Sequence, residues 1–308
     1  MAIKLGLQIP NFSYGTPVAE LFPTVIAQAQ EAEAAGFDSV FVMDHLYQLP
    51  GLGAPEEPML EAYTALGALS TATERVQLGT LVTGNTYRNP TLLAKAITTL
   101  DVTSQGRAIL GIGTGWFELE HNSLGYEFGT FTDRFNKLDE ALEIILPMLK
   151  GERVTVDGKY YKTNEAFANP RFRDHIPLMI GGSGEKKTIP LAAKYFDHLN
   201  IIAGFDELPR KVQVVKDKCE EIGRDPATLE TSVLAIALVD ENITADMIPD
   251  EFKQQAVFGS PEQIVEQIKT KVLDAGVDGV ILSSATIGGY KPGGITAVGE
   301  GLKPLLGL

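Results

Sequence analysis

Residues 3–44 read IKLGLQIPNFSYGTPVAELFPTVIAQAQEAEAAGFDSVFVMD, and this stretch contains two apolar runs separated by a helical pattern. The two runs, Ile3–Pro10 and Asp38–Asp44, are mostly apolar along their whole length, as is typical of parallel strands that are covered on both faces. The apolar spacing between them predicts a helix from about Pro23 to Gly36. The stretch therefore predicts a β–α–β unit.

The same alternation continues to the end of the chain. A capping box, Ser260-Pro261-Glu262-Gln263, and the pair Asn89-Pro90 mark the starts of two later helices. Eight strands alternating with helices predict an α/β fold, a single (β/α)8 TIM barrel over residues 1–308. An open doubly wound sheet is the alternative, because periodicity does not show closure. The predicted strands are Ile3–Pro10, Asp38–Asp44, Val76–Gly84, Ala108–Trp116, Ile176–Gly182, His198–Gly204, Glu230–Val239 and Gly279–Ser284.

The chain is longer than a minimal barrel, and the additional residues lie in three insertions. They follow strands 2, 4 and 7, at His45–Pro58, Gly151–His175 and Asp240–Phe258. In the second insertion, Asp157-Gly158 stands between β-forming residues and predicts a hairpin at Val154–Tyr161. No low-complexity linker divides the chain, so one domain is predicted.

Composition limits the classes of function. The net charge of −14 and the pI near 4.8 disfavour nucleic acid and anionic membrane surfaces as partners. No apolar run approaches the roughly 18 residues that span a bilayer, and the N-terminus does not have the pattern of a signal peptide. One cysteine excludes a disulfide framework and a cysteine-based zinc site, and no His or carboxylate spacing indicates a metal. We expect a soluble, cytoplasmic protein.

The strongest candidate for chemistry is His45, which follows a strand end and comes directly after Asp44. In a barrel, chemistry collects at the carboxyl ends of the strands. An imidazole can gain or lose a proton near neutral pH, which suits an acid/base residue. A purely structural histidine is the alternative, and we favour that interpretation for His121, His175 and His198.

Two glycine clusters follow predicted strands. Gly111–Trp116 reads GIGTGW, which departs from the dinucleotide pattern GxGxxG, so a Rossmann site is disfavoured. The run Gly181–Thr188 lacks the glycine that precedes Lys-Thr in a P-loop. Its free backbone N–H groups, the following helix start and two lysines nonetheless predict an anion site, with a plain β–α turn as the alternative.

The remaining candidates have a structural alternative each. Cys219 lies on the apolar face of its helix and is expected in the core. Trp116, the single tryptophan, could form a wall for a flat cofactor or fill the top of the barrel. Glu118 and Glu120 could be acids in the pocket, but we expect a solvated loop there.

As a set, five segments resemble the bacterial luciferase-like superfamily over nearly the whole chain. Within it, the chain is most similar to the actinobacterial branch of oxidoreductases that depend on coenzyme F420, a deazaflavin. The resemblance implies a barrel, usually dimeric, with a flavin or deazaflavin across its mouth. The segments are Gly6–Pro10, Gly36–His45, Leu78–Thr83, Ile112–Phe117 and the closing Gly259–Ile281.

The resemblance also implies roles for individual residues. Asp44-His45 match the family's acidic residue and histidine near the reactive face of the ring, which makes His45 the candidate catalytic residue. A non-proline cis peptide after strand 3 would fall at Leu81-Val82 and back the ring as a bulge. The cofactor-binding residues expected on this basis are Asp44, Leu81, Val82, Thr83, Trp116, Gly181, Gly182 and Ser183, the last three near the cofactor phosphate.

Two departures limit the transfer of a substrate. The sugar-phosphate dehydrogenase branch has a glutamate where this chain has Trp116, and a tryptophan where it has Leu49. We therefore expect hydride transfer between F420 and an unidentified small substrate, with His45 taking the proton or stabilising the reduced ring. The alternatives are an FMN-dependent monooxygenase fed by a separate reductase, and a barrel that binds a cofactor without catalysis. A homodimer is expected from the resemblance alone.

Overall fold

Eight parallel strands close into a barrel in the computed structural model, which describes residues 3–250, 252–284 and 290–308. Strand β1 pairs with both β2 and β8, and β6 pairs with β7, so the ring has no open edge. The predicted barrel is confirmed and the open sheet is excluded. The strands are β1 (Leu5–Ile9), β2 (Ser39–Val42), β3 (Gln77–Thr80), β4 (Ala108–Gly113), β5 (Leu178–Gly181), β6 (His198–Ile201), β7 (Glu230–Val239) and β8 (Gly279–Ser283).

Helices surround this barrel, and their starts carry the predicted capping chemistry. The Ser260 side chain accepts from Gln263 N, and the Asn89 side chain accepts from Thr91 N. The first helix starts earlier than predicted, directly after Pro17, and Pro23 is accommodated within it. The helices are α1 (Val18–Ala34), α2 (Ala62–Ala72), α3 (Pro90–Thr103), α4 (Glu118–Leu124), α5 (Phe131–Leu149), α6 (Thr188–Tyr195), α7 (Leu208–Glu221), α8 (Pro261–Lys271) and α9 (Gly294–Leu306).

The predicted hairpin is present, but its turn is longer than expected. Its strands are Val154–Asp157 and Lys162–Ala166, and they are joined through Gly158–Tyr161 instead of a two-residue Asp-Gly turn. The cause is Glu140 on α5, whose carboxylate accepts the N–H groups of residues 159, 160 and 161 at 3.0, 2.8 and 2.6 Å. The Glu140 carboxylate accepts from three consecutive amides and so holds the wider turn against α5.

The insertion after β7 contains a strand that the sequence pattern did not indicate. Ala256–Gly259 pairs in parallel with the end of β7, from Ile236 to Val239. This short strand lies beside the barrel and leads directly into the capped start of α8. The insertions after β2 and β4 lie where they were predicted.

Strand packing explains one of the glycines near the top of the barrel. A Cβ atom at Gly111 would lie 2.1 Å from the Thr80 carbonyl oxygen, so only glycine lets β3 and β4 approach this closely. Below it, Phe41, Ile109 and Met179 pack in the barrel interior. Gly111 therefore serves the packing of these two strands.

No helix in the described part of the chain is long and apolar enough to span a membrane.

Replacing Gly111 by alanine is expected to lower the free energy of unfolding by about 1–3 kcal/mol, because the new methyl group would overpack the β3–β4 contact. Gly67→Ala is the matched control, since Gly67 lies within α2 with open space at its Cβ position. This control should gain about 0.5–1 kcal/mol. Urea denaturation of both variants measures the two effects, and equal stabilities would contradict the packing argument.

Candidate functional site

The carboxyl ends of the eight strands open on one face of the barrel, which we call the barrel mouth. His45 follows β2, Leu81 and Val82 follow β3, Trp116 follows β4, and Gly182 follows β5. The chain thus brings the predicted site residues, which are far apart in sequence, to one face.

His45 is held by a buried carboxylate from α4. Its Nδ1 lies 2.9 Å from Oε2 of Glu120, and the Glu120 side chain is fully buried. The other Glu120 oxygen accepts the backbone N–H groups of Leu46 and Tyr47, the latter at 2.8 Å, and the Tyr87 hydroxyl also donates to the carboxylate. One side chain therefore joins α4 to the loops that follow β2 and β3.

These hydrogen bonds decide the charge of Glu120. Burial alone would raise the pKa of Glu120, but the hydrogen bonds from His45, Tyr87 and Tyr47 outweigh burial and lower it. An ionised carboxylate can only accept hydrogen bonds, so Nδ1 of His45 must carry the proton. Nε2 of His45 has no protein hydrogen bond among the described residues, so it is available to a ligand in the mouth.

Asp44 lies behind His45 and is buried. Its Oδ2 accepts from the Gly84 N–H at 3.0 Å and from the Arg88 guanidinium, which also pairs with Glu61 at 2.5 Å. Burial raises the pKa of Asp44, and the adjacent positive charge of Arg88 opposes that shift. Asp44 thus ties the loop after β2 to the loop after β3.

The peptide bond between Leu81 and Val82 is cis, as the resemblance implied. The Leu81 carbonyl accepts from the Gln8 side chain at 3.3 Å. The Val82 side chain lies between two glycines: a Cβ at Gly113 would stand 2.9 Å from it, and one at Gly181 would stand 3.4 Å away. The bulge therefore lies between two strand ends that are glycines, Gly113 and Gly181. No side chain from these two positions covers the surface around Val82.

Thr83 and Trp116 occupy opposite environments. Thr83 is fully buried, and its hydroxyl bonds with those of Tyr63 and Thr80, each at 2.6 Å. Its side chain supports the bulge from behind and does not reach the mouth. Trp116 is largely exposed and stands edge-on to His45, with 5.7 Å between ring centroids. The indole is a wall at the mouth and does not fill the barrel top.

The turn after β5 has the backbone of a tight glycine turn. Gly182 has φ +136°, a conformation that favours glycine, and its N–H donates to the Asn200 carbonyl at 2.9 Å. Lys186 and Lys187 follow on the same turn, and neither takes part in an ion pair within the described residues. The Lys187 ammonium lies 5.5 Å from the centre of the Phe135 ring, and the Lys211 ammonium donates to the Ser183 carbonyl at 3.2 Å. Positive charge is therefore present on and next to this turn.

A second location for an anion is filled by the protein itself. In many TIM barrels a phosphate lies at the helix that follows strands 7 and 8. Here Glu31 accepts the N–H groups of Gly293 and Thr296 at 2.9 and 3.0 Å, at the start of α9. This helix start is satisfied by a carboxylate, which leaves the turn after β5 as the better anion site.

The positions of the other candidates fit the structural interpretation. His175 is exposed and lies 3.0 Å from Asp197. His121 is buried and bonds Phe117 O and Thr86 Oγ1 at 2.8 and 2.7 Å. His198 is buried against Ser232, and Cys219 is buried in the core. Glu118 is exposed, as expected. The expectation of a solvated loop was wrong for Glu120.

Sequence reasoning missed the importance of Glu120, Tyr87 and Arg88. One signal was available for Glu120, because Phe117, Glu120 and His121 have helical spacing i, i+3 and i+4 and form the buried face of α4. A glutamate on a buried face needs polar partners. Nothing in the local sequence indicated which partners these would be.

Comparison with known proteins supports the assignment of the fold. A family model described as luciferase-like monooxygenase matches residues 3–247. F420-dependent glucose-6-phosphate dehydrogenases of Microbacterium testaceum and Nakamurella multipartita are 42% identical over 160 residues and 38% identical over 182 residues. These matches cover 51% and 58% of this chain but 46% and 52% of the relatives, so the chain spans about half the length of the curated relatives that it matches.

Two solved structures share the whole fold. An F420-dependent secondary alcohol dehydrogenase, in complex with an F420-acetone adduct, superposes with a TM-score of 0.83 at 22% identity, over 99% of both chains. A coenzyme F420-dependent tetrahydromethanopterin reductase from Methanopyrus kandleri gives 0.80 at 20% identity, over 99% of this chain and 100% of that one. At these identities the comparison establishes the fold only.

The lowered pKa of Glu120 predicts a pH-dependent loss of stability in Glu120→Gln. The native carboxylate stabilises the fold fully above its ordinary pKa of 4.5, and this contribution disappears as the pH falls through the lower folded value. The stability difference between wild type and variant should therefore be largest near neutral pH and shrink in acid. Denaturation curves across this range measure it, with Glu118→Gln, exposed on the same helix, as the control. A difference that stays constant with pH would contradict the assignment.

Proposed function

Because the chain belongs to the family of luciferase-like monooxygenases, we propose that it is an oxidoreductase that transfers a hydride between coenzyme F420 and a small organic substrate. The relatives named as F420-dependent dehydrogenases support the choice of cofactor within this family. The proposed enzyme is homodimeric, as the resemblance implies, and cytoplasmic, as expected from its composition.

The pair of His45 and Glu120 is the observation that carries this proposal. A buried carboxylate on one nitrogen of an imidazole fixes the ring orientation and stabilises the imidazolium that forms when the other nitrogen accepts a proton. His121, by contrast, has both ring nitrogens bonded within the protein. His45 instead keeps Nε2 free at the mouth.

The residues around His45 fit a deazaflavin. The surface around Val82, which the glycines at 113 and 181 leave uncovered, would accept a flat ring beside the cis peptide bond of Leu81. The turn of residues 181–183, which Lys186 and Lys187 follow, offers the N–H of Ser183 and positive charge to a phosphate, whereas the Gly182 N–H is already bonded to Asn200. Asp44 and Thr83, both buried, would act by holding the bulge and the loops in place.

Bound coenzyme F420 supplies a hydride acceptor or donor to this site. His45 Nε2 takes the proton from a substrate hydroxyl as the substrate is oxidised, or returns a proton to the carbonyl oxygen in reduction. Glu120 stays ionised throughout and holds the ring of His45 in place. Trp116 limits the space on the open side of the histidine.

The cofactor choice is tested by titrating the purified protein with oxidised F420 and, in parallel, with FMN, followed by cofactor fluorescence. We expect saturation by F420 at micromolar or lower concentration and weak binding of FMN. The reverse order would identify an FMN-dependent monooxygenase that needs a reductase. Binding of neither would contradict the proposal as a whole.

Replacing His45 by alanine should leave the affinity for F420 almost unchanged, while turnover falls by roughly 10²–10⁴-fold, the usual contribution of a general acid or base. The control is His175→Ala, which removes an exposed histidine paired with Asp197 away from the mouth. Stopped-flow reduction of F420 by the substrate separates the two effects. Unchanged turnover in His45→Ala would remove this residue from the mechanism.

A further inference from the structure

We infer that the substrate of this site is an uncharged compound with an apolar ring or chain, seated against Trp116, and not a phosphorylated sugar. The inference rests on the proposed function, because it concerns the substrate-binding part of the same mouth. Two independent features carry it: the scarcity of unpaired positive charge at the mouth, and the apolar side chains exposed beside His45.

The loops at the mouth contain few positive charges. They comprise residues 10–17, 43–61, 81–89, 114–130, 182–187, 202–207, 240–260 and 284–293. Aspartates and glutamates far outnumber lysines and arginines in these loops. Of the residues that the structure does not describe, only Glu251 carries a charged side chain. The only lysines and arginines of the eight loops are Arg88, Lys186, Lys187, Lys253 and Lys291.

The single arginine of these loops, Arg88, is already neutralised. The Arg88 guanidinium bonds the buried Asp44 carboxylate on one side and Glu61 on the other. A substrate phosphate that took Arg88 would leave Asp44 buried without its partner, and uncompensated buried charges are strongly unfavourable. Arg88 is therefore unavailable to an anionic substrate.

The positive charges on the far loops are paired as well. Lys253 lies 2.6 Å from Asp250, and Lys291 lies 3.0 Å from Asp240. The N–H of Asn242 and the charge of Lys291 lower the pKa of Asp240 to about 2, so this carboxylate keeps its charge at any pH of interest. Neither lysine offers an unpaired charge to a ligand.

Basic residues on the elements that border the mouth are bonded within the protein as well. Arg134, in the first turn of α5, forms no ion pair among the described residues, but it is buried and its guanidinium donates to the carbonyl oxygens of Gly115 and Gly129, each at 3.0 Å. Four further residues each have a carboxylate within 4 Å, and Glu185 serves two of them. The pairs are Lys137 with Glu127 at 2.6 Å, Lys159 with Asp133 at 3.8 Å, and Lys211 and Arg210 with Glu185 at 2.7 and 2.5 Å.

Lys186 and Lys187 remain, and both stand on the turn after β5. The proposed function assigns this turn to the cofactor phosphate, which uses these charges. A second phosphate would need its own charge-assisted hydrogen bonds, and the surrounding carboxylates would repel it. The mouth thus accommodates the anionic group of the cofactor and has no matching site for an anionic substrate.

Apolar side chains stand where the substrate must lie. The Trp116 side chain is 61% exposed, and that of Ile202, at the end of β6, is 46% exposed. Trp116 stacks against Phe117 with 5.3 Å between centroids, and both rings meet His45 edge-on. A substrate that covers this indole gains the free energy of removing apolar surface from water while its reacting carbon lies beside Nε2 of His45.

The single tryptophan makes a direct binding test possible. Fluorescence of Trp116 is followed while the F420-loaded protein is titrated with cyclohexanol, cyclohexanone, 2-cyclohexenone or glucose 6-phosphate. We expect a saturable change with at least one neutral compound and none with glucose 6-phosphate. Saturation by glucose 6-phosphate, or by no neutral compound, would overturn the inference.

Variants of Trp116 test the apolar wall. For the neutral compound that saturates, Trp116→Phe should keep KM within a few fold, because the phenyl ring preserves most of the contact. Trp116→Glu should raise KM about tenfold or more, since it exchanges the buried apolar contact for a charge. Ile222→Glu, at the other end of the barrel beside the end of α7, should change nothing. An unchanged KM in Trp116→Glu would also overturn the inference.

The two proposals fail in different ways. Absence of F420 binding would refute the proposed function before any substrate is added. Normal F420 binding together with preference for glucose 6-phosphate would leave the proposed function intact and refute only the substrate class.

Discussion

The buried carboxylate of Glu120 is the interaction on which the whole mouth depends. A fully buried glutamate would be costly without partners, and here four donors satisfy it. Two donors are backbone N–H groups of the loop after β2, one is Tyr87 from the loop after β3, and one is His45. Because these donors come from separate loops, the same hydrogen bonds that ionise Glu120 also fix the position of His45 over the barrel.

Closure of the barrel explains why these loops meet. Each parallel strand ends at the same face, so residues that are remote in sequence become neighbours without any long connection. The second buried pair, Asp44 with Arg88, repeats the arrangement one layer behind His45. Both pairs neutralise buried charges, and the surface beside Nε2 of His45 includes the exposed side chain of Trp116. The fold and the inferred preference for an uncharged substrate thus have a common origin.

Sequence patterns were sufficient for the alternation of strands and helices, the positions of the insertions and the capping box at Ser260, whereas closure of the sheet is seen only in the strand pairing. It was insufficient where a distant side chain decided the local conformation. The hairpin turn at 158–161 depends on Glu140 of α5, which local β propensity does not register. The strand at 256–259 forms only because the end of β7 is free to pair with it. Local sequence patterns predict where helices and strands form, and contacts with residues distant in sequence determine where those elements begin and end.

The site was predicted in part. His45 followed from its position at a strand end, and the cis bond at Leu81-Val82 followed from the resemblance. The partner of His45 lies 75 residues away, so no local pattern could identify it. The most direct test is ¹⁵N NMR of the His45 ring at a pH where the imidazole is neutral. The account predicts a proton on Nδ1 and a free Nε2, whereas a proton on Nε2 would contradict it.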